Sequence, residues 1–294
     1  MEDNMNVLVT GGAGYIGSHT CVELLEAGHQ VIVLDNLYNA SEEALNRVRE
    51  ITGKPVKFYK GDIADAPLLE KIFEEDKPDV CIHLAWRNGF VHNADSHIED
   101  LPNHYTFLKN MIEGGLKHVV VMGTMHEVGY WEGAIDENTP TNPLSLYGIA
   151  KNALRQMVEL LAKKSEVCFQ WTRGYYIIGD DIKSNSIFSK IVQAEQAGNK
   201  KFPFTTGKNL YDFISLEELA KEIACVSLQT EVNGIINCCT GKPVSLAEQV
   251  ESFIKEHNFK IRLEYGAYPD RAYDSPGVWG DAKKIQQIMS KVEK

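Results

Sequence analysis

Along the first two thirds of the chain, short and mainly apolar runs alternate with longer segments whose apolar residues recur every three or four positions. The runs are Asn6 to Thr10, Val31 to Leu34, Val56 to Tyr59, Val80 to Leu84, Val119 to Met122 and Val167 to Thr172. Each has the length and β-branched content of a strand. Between them the spacing predicts helices at Tyr15 to Ala27, from Ser41 (SEEALNRVREI), around Pro67 to Glu75, up to Gly114 and Gly115, and at Ser145 to Lys164. Glu42 and Glu43 fall in the first turn after Ser41, where carboxylates suit the helix dipole. Strand and helix in strict alternation predict an α/β fold, a doubly wound parallel Rossmann sheet covered on both faces.

Beyond Gly179 the alternation loosens, and NKKFPFTTGK and YGAYPDRAYDSPG read as loops. The expected organisation is a dinucleotide-binding domain over 1–178, with 211–238 returning a helix and a strand to it. A smaller α/β substrate-binding domain is expected from 179–210 and 239–294.

The first strand runs into VLVTGGAGYIGSH, with Gly11, Gly14 and Gly17 ahead of a helix, and the second strand ends at Asp35. In a dinucleotide site the first glycine permits a tight turn, the second admits a pyrophosphate against bare backbone, and the third lets helix and strand approach closely. The helix N-terminus then offers free N–H groups to the phosphates. A carboxylate at Asp35 suits two free ribose hydroxyls and repels a 2′-phosphate, and no Arg or Lys follows in Asn36, Leu37, Tyr38, Asn39. NAD(H) is therefore favoured over NADP(H). Asp35 as a mere cap of the next turn is the alternative reading.

Composition narrows the class. With 44% hydrophobic and 24% charged residues the chain has ordinary globular composition, and a net charge of −11 disfavours nucleic acid and anionic membranes as partners. No run approaches the length of a spanning helix and no signal-like segment precedes the first strand, which predicts a cytoplasmic protein. The six cysteines show no C-x-x-C pair and the histidines no zinc spacing, so no metal is expected.

Tyr147 and Lys151 stand four residues apart on one helix face. A phenol with a pKa near 10 needs a cation close by to transfer protons at neutral pH. One charge about 4 Å away is worth on the order of 4 kcal/mol at an effective dielectric near 20, roughly three pKa units. Thr124 follows the run Val119 to Met122, at the edge where ligands of open α/β sheets collect. The predicted catalytic residues are thus Thr124, Tyr147 and Lys151.

Together TGGAGYIGSH, Asp35, Asp62-Ile63, Thr124 and DENTPTNPLSLYGIAK resemble the extended short-chain dehydrogenases/reductases, in the branch acting on nucleotide-activated sugars. The resemblance implies cofactor contacts at Gly11, Gly14, Tyr15, Ile16, Gly17, Asp35, Asn36, Asp62, Ile63, Leu84, Ala85, Trp86, Tyr147, Lys151 and Tyr175. It implies substrate contacts at Arg87, Asn185 and Arg271, and a two-fold homodimer.

The chain departs from the epimerases of that branch at Arg173-Gly174-Tyr175-Tyr176 and at Tyr211, where a diphosphate-binding Arg is usual. The helix opening Asn-Val-x-Gly-Thr is missing near Asp100 to His104. The Thr-Asp-Glu triplet of 4,6-dehydratases is also absent, since Met125 and His126 separate Thr124 from Glu127. GTMHEVGYWEGAIDE instead resembles 4-ketoreductases of dTDP-linked 4-keto-6-deoxyhexoses. His126 and Glu127 are open between substrate contacts and ordinary loop residues.

The expected activity is NAD(P)(H)-dependent oxidoreduction at C4 of a nucleotide-activated sugar, with reduction of a 4-keto-6-deoxyhexose placed first. A 4-epimerase is the alternative and a 4,6-dehydratase stands below it. An NAD(H)-binding sensor has no use for the intact Thr124, Tyr147 and Lys151.

Overall fold

The computed structural model describes residues 4–179, 186–270 and 274–292. Its first half alternates β1 (Asn6–Thr10), α1 (Tyr15–Glu26), β2 (Gln30–Asp35), α2 (Glu42–Thr52), β3 (Lys57–Lys60), α3 (Ala66–Asp76) and β4 (Val80–His83). The short α4 (Ser96–Glu99) and α5 (Leu101–Glu113) lead to β5 (His118–Thr124), then β6 (Gly133–Ile135), α6 (Leu146–Ser165) and β7 (Cys168–Gly174). There follow β8 (Tyr176–Ile178), α7 (Ile187–Gln196), β9 (Lys201–Pro203), β10 (Leu210–Tyr211), β11 (Phe213–Ser215), α8 (Leu216–Ser227) and β12 (Gly234–Cys238). The chain closes with β13 (Val244–Ser245), α9 (Leu246–Glu256), β14 (Arg262–Glu264), β15 (Gly277–Gly280) and α10 (Lys283–Val292).

Seven strands form one parallel sheet in the order β12-β7-β5-β4-β1-β2-β3. This is the doubly wound α/β fold that the alternation predicts. Strand β12, reached through α8, forms the edge of this sheet beside β7. Strand side chains alternate between two cores: Val7 and Val9 of β1 pack with Leu24 of α1, Val48 of α2, Ile223 of α8 and Ile285 of α10. Leu8 points the other way, to Ile72 of α3, Phe107 of α5 and Val158 of α6. Burying each such aliphatic side chain contributes roughly 1.5–3 kcal/mol, and two apolar faces explain why the runs carry no polar alternation.

Strand order reverses between β1 and β4, and ligands of such sheets collect at the carboxyl ends beside that switch. A third core, with Phe188 and Ile191 of α7, Phe213, and Val250 and Phe253 of α9, underlies the smaller sheets β13-β10-β15-β6, β11-β8 and β14-β9.

Two local details differ from expectation. Ser41 occupies the N-cap of α2 in extended backbone, but its side chain makes no capping hydrogen bond. Strand β5 runs on through Gly123 to Thr124, held by its pairing to Arg173 and Gly174 of β7.

Candidate active site

A cavity of about 1050 Å³ opens at the switch between β1 and β4. Its floor is the glycine turn. Gly11 has a φ of +72°, and a Cβ there would stand 2.7 Å from the Ala85 backbone nitrogen. A Cβ on Gly17 would stand 2.1 Å from the Gly11 carbonyl oxygen, so close packing of α1 on the turn requires glycine. Gly14 is the N-cap of α1 with no side chain over it, and the first turn holds no acid. The N–H groups there are directed at a prospective phosphate.

Asp35 reaches back from β2: Oδ2 accepts from the Ala13 N–H at 3.0 Å and Oδ1 from the Leu37 N–H at 2.8 Å. It therefore caps its turn, as the alternative reading has it, and braces the glycine loop as well. It still lines the cavity. Burial raises its pKa, and the N–H bonds from Leu37 and Ala13 oppose that.

The cavity brings together Gly11, Gly14, Tyr15, Ile16, Gly17 and Asp35 with Asn36, Asp62 and Ile63 on its β2–β3 side. Asn36 Nδ2 donates to Asp62 Oδ2 at 2.8 Å. On the β4 side stand Leu84, Ala85, Trp86 and Arg87. Thr124, Tyr147, Lys151 and Tyr175 close the far end.

Ser145 caps α6 through the Gly148 N–H at 3.2 Å, and the Tyr147 N–H is held by the His92 carbonyl at 2.9 Å. The Tyr147 hydroxyl interacts with the Thr124 side chain, which favours its phenolate form. Lys151, 2% exposed, donates from Nζ to the Met122 carbonyl at 2.7 Å, with Nζ 5.9 Å from the Tyr147 ring centroid. Phenol, hydroxyl and amine thus converge at the carboxyl edge of β5, with a free backbone cradle for a pyrophosphate alongside. This donor set fits a dinucleotide.

A sequence profile described as the NAD dependent epimerase/dehydratase family matches residues 7–239. The chain belongs to that family. A dTDP-6-deoxy-L-talose 4-dehydrogenase (NAD(+)) of Aggregatibacter actinomycetemcomitans is 44% identical over 277 residues, which is 94% of this chain and 99% of the relative. A UDP-glucose 4-epimerase of Bacillus subtilis is 33% identical over 279 residues, or 85% and 82% of the two chains.

Among solved structures, UDP-glucose 4-epimerase from Bifidobacterium longum in complex with NAD+ and UDP matches with a TM-score of 0.82 at 27% identity, covering 97% of this chain and 92% of that one. The Stenotrophomonas maltophila UDP-glucose-4-epimerase shares the fold, with a TM-score of 0.88 at 23% identity over 98% and 93%. This family member is an NAD-dependent enzyme, in agreement with Asp35 and the glycine turn.

The electrostatics of the epimerase/dehydratase-family enzyme correct one expectation. Burial, then Glu127, pushes the Tyr147 phenol up, while the interaction with Thr124 favours phenolate. Burial also brings Lys151 down to about 7, with Glu127 opposing. Protein groups alone therefore do not acidify Tyr147: the amine points to Met122 rather than to the phenol oxygen, and the same burial penalises both charges.

Glu127 is also corrected. It is fully buried, accepting from the Thr124 N–H at 2.7 Å and from Trp171 Nε1 at 2.8 Å, with Arg173 at 3.3 Å and Arg155 at 3.7 Å. It is a support beneath Thr124 rather than a substrate contact. His126 does not line the cavity; its ring lies 4.3 Å from His92 and 6.1 Å from Tyr147.

Arg87 lines the cavity but is gripped by Asp100 at 2.9 and 3.0 Å, so its charge is already paired. Asn185 and Arg271 lie outside the described residues. Tyr211 packs on Tyr176 at 4.6 Å between ring centroids. Of the six cysteines, those at 21, 81, 225, 238 and 239 are buried, Cys168 is half-buried, and all are free. No group of potential metal ligands occurs among the described residues. Among the described residues no helix is long and apolar enough to cross a membrane.

Sequence reasoning missed lining residues, among them Asn103 and His104 of α5, where the helix opening departs from the familiar pattern. It also missed the contact of Lys151 with Trp86, which no spacing rule reveals.

Proposed function

We propose that the enzyme transfers hydride between NAD(H) and C4 of a nucleotide-activated sugar, working as a reductase of a 4-keto-6-deoxyhexose. The observation that carries this reading is that Tyr147, Thr124 and Lys151 line the same dinucleotide cavity, with the Tyr147 hydroxyl interacting with Thr124 and Lys151 Nζ 5.9 Å from the Tyr147 ring centroid. The identity of 44% to a 4-dehydrogenase of a dTDP-linked 6-deoxy sugar, against 33% to an epimerase, supports that substrate class.

Bound NAD(H) would supply the hydride and, when oxidised, a positive charge. Thr124, fixed by the Glu127 bond to its N–H, orients the sugar O4 toward Tyr147. Tyr147 gives its proton to O4 during reduction and takes it during oxidation. Lys151 would offer its remaining N–H donors to the nicotinamide ribose, and its charge would add to that of the oxidised cofactor in favouring phenolate.

Dehydration needs a further acid and base. Glu127, the nearest carboxylate to Thr124, is committed to Arg173 and Trp171, which weighs against a dehydratase.

The test is stoichiometric. Incubated with a dTDP-linked 4-keto-6-deoxyhexose, the enzyme is expected to consume one NADH per sugar, and the Tyr147→Phe variant none. Interconversion of 4-epimers with only catalytic NAD would replace this reading by the epimerase.

A further inference from the structure

Lys151 is one of the most enclosed cations of the protein, and it has few partners. Nζ donates to the Met122 carbonyl at 2.7 Å and stands 3.9 Å from the centroid of the Trp86 ring. A desolvated ammonium over an indole face is the strongest form of cation–π contact, because the ring quadrupole replaces part of the lost hydration.

Trp86 is itself fixed from two sides. Its Nε1 donates to His97 Nδ1 at 3.0 Å, and its ring stacks on His104 with centroids 4.3 Å apart and planes 16° apart. His104 is tied to His83 at 2.9 Å, and His83 to the Thr10 hydroxyl at 2.7 Å. The indole is therefore a rigid plate held by α4, α5 and β4, not a side chain that drifts onto the lysine.

The other groups around Lys151 do little to keep it charged. Burial holds His83 and His104, facing it from β4 and α5, in their neutral forms. Tyr147 of its own helix is a neutral phenol. Glu127, after β5, is the one anion acting on it among the described residues, and that carboxylate is already paired with Arg173 at 3.3 Å.

We infer that Trp86 is a positioning residue for the reaction proposed above, on which this inference rests: its ring face keeps the Lys151 ammonium charged and in place beside the Met122 carbonyl. The consequence is quantitative. Burial leaves Lys151 titrating at about 7, so near neutral pH a modest loss of support discharges it. Removing a desolvated cation–π contact is expected to lower that midpoint by about one pH unit.

The experiment replaces Trp86 with a series of progressively fluorinated tryptophans, which keep shape and the Nε1 donor while draining the ring face. Lys151 is followed by NMR of 13C-labelled lysine side chains in the full-length protein, its signal assigned by its loss in Lys151→Met. The expected result is a stepwise fall of the Lys151 midpoint with each fluorine, and a larger fall in Trp86→Leu than in Trp86→Phe. An unchanged midpoint through the fluorinated series overturns the inference.

NADH oxidation with the keto sugar is the second readout. Its alkaline limb, where the ammonium is lost, is expected to move acidward by the same amount. A shifting NMR midpoint without turnover would support the Lys151–Trp86 contact and sink the assigned reaction. Turnover whose pH profile ignores the substitutions would sink the role given to Trp86.

Discussion

Oε2 of Glu127 lies 3.3 Å from a guanidinium nitrogen of Arg173, and neither side chain touches solvent. The pair sits directly beneath Thr124, whose N–H is held by the other carboxylate oxygen at 2.7 Å. Removing one partner of a buried ion pair costs about 3–5 kcal/mol, because the other charge is left uncompensated. Glu127→Ala is expected to lower unfolding stability by about that amount in urea titrations. Glu127→Gln keeps the acceptor for Thr124 and is expected to lose less stability and less turnover.

Lys151→Met separates stability from activity. The folded ammonium titrates at about 7 against 10.5 when free, so the native state carries a penalty that is complete below pH 7 and fades as pH rises toward 10.5. Met is expected to abolish turnover while stabilising the cofactor-free protein by on the order of 1 kcal/mol. Thermal melts at pH 6 and pH 9 check the sign, since the advantage of Met is expected to be larger at pH 6.

Acid is expected to unfold the protein from the histidines upward. Burial lowers His83 well below its usual 6.5 and His104 to about 3. The unfolded chain therefore binds protons that the native state refuses, and stability is lost as pH falls from 6.5 toward 3. Each such histidine contributes a slope of about 1.4 kcal/mol per pH unit in that window. His104→Gln is expected to flatten the slope, measured by denaturant midpoints between pH 7 and pH 5.

Gly17→Ala places a methyl group 2.1 Å from the Gly11 carbonyl oxygen, backbone that has no free space to yield. The turn and the first residues of α1 must separate, so the N–H groups meant for a pyrophosphate lose their aim. NADH affinity by fluorescence titration is expected to fall by at least about tenfold, a loss of about 1.4 kcal/mol. Gly28→Ala, with a φ of +96° and open space around its Cβ position, is expected to lower stability and leave NADH affinity unchanged.

Much of this was legible in the sequence because the relevant signals are local. Val7 to Val9 face two cores and so read as an uninterrupted apolar run, and Gly11, Gly14 and Gly17 declare a turn that admits no side chain. Tyr147 and Lys151 share a helix face, so their common destination was visible too.

The rest depends on long-range packing. Nothing near Glu127 in sequence announces Trp171 and Arg173, which arrive from β7 and turn a presumed substrate contact into a buried support. Likewise the orientation of Lys151 toward Met122 and Trp86 is set by β5 and the segment after β4. The short pairings β10-β15 and β9-β14 join segments far apart in the chain, and β9 lies inside NKKFPFTTGK, which reads as a loop.

The central claim is that hydride moves between NAD(H) and C4 of the sugar while Tyr147 handles the O4 proton. The most direct measurement uses NADH deuterated at the nicotinamide C4 with a dTDP-linked 4-keto-6-deoxyhexose, and locates the label in the product sugar by NMR. The account predicts one deuterium at C4 with the wild type and none with Tyr147→Phe. Product formed without deuterium at C4, or labelled equally by the Phe variant, would contradict it.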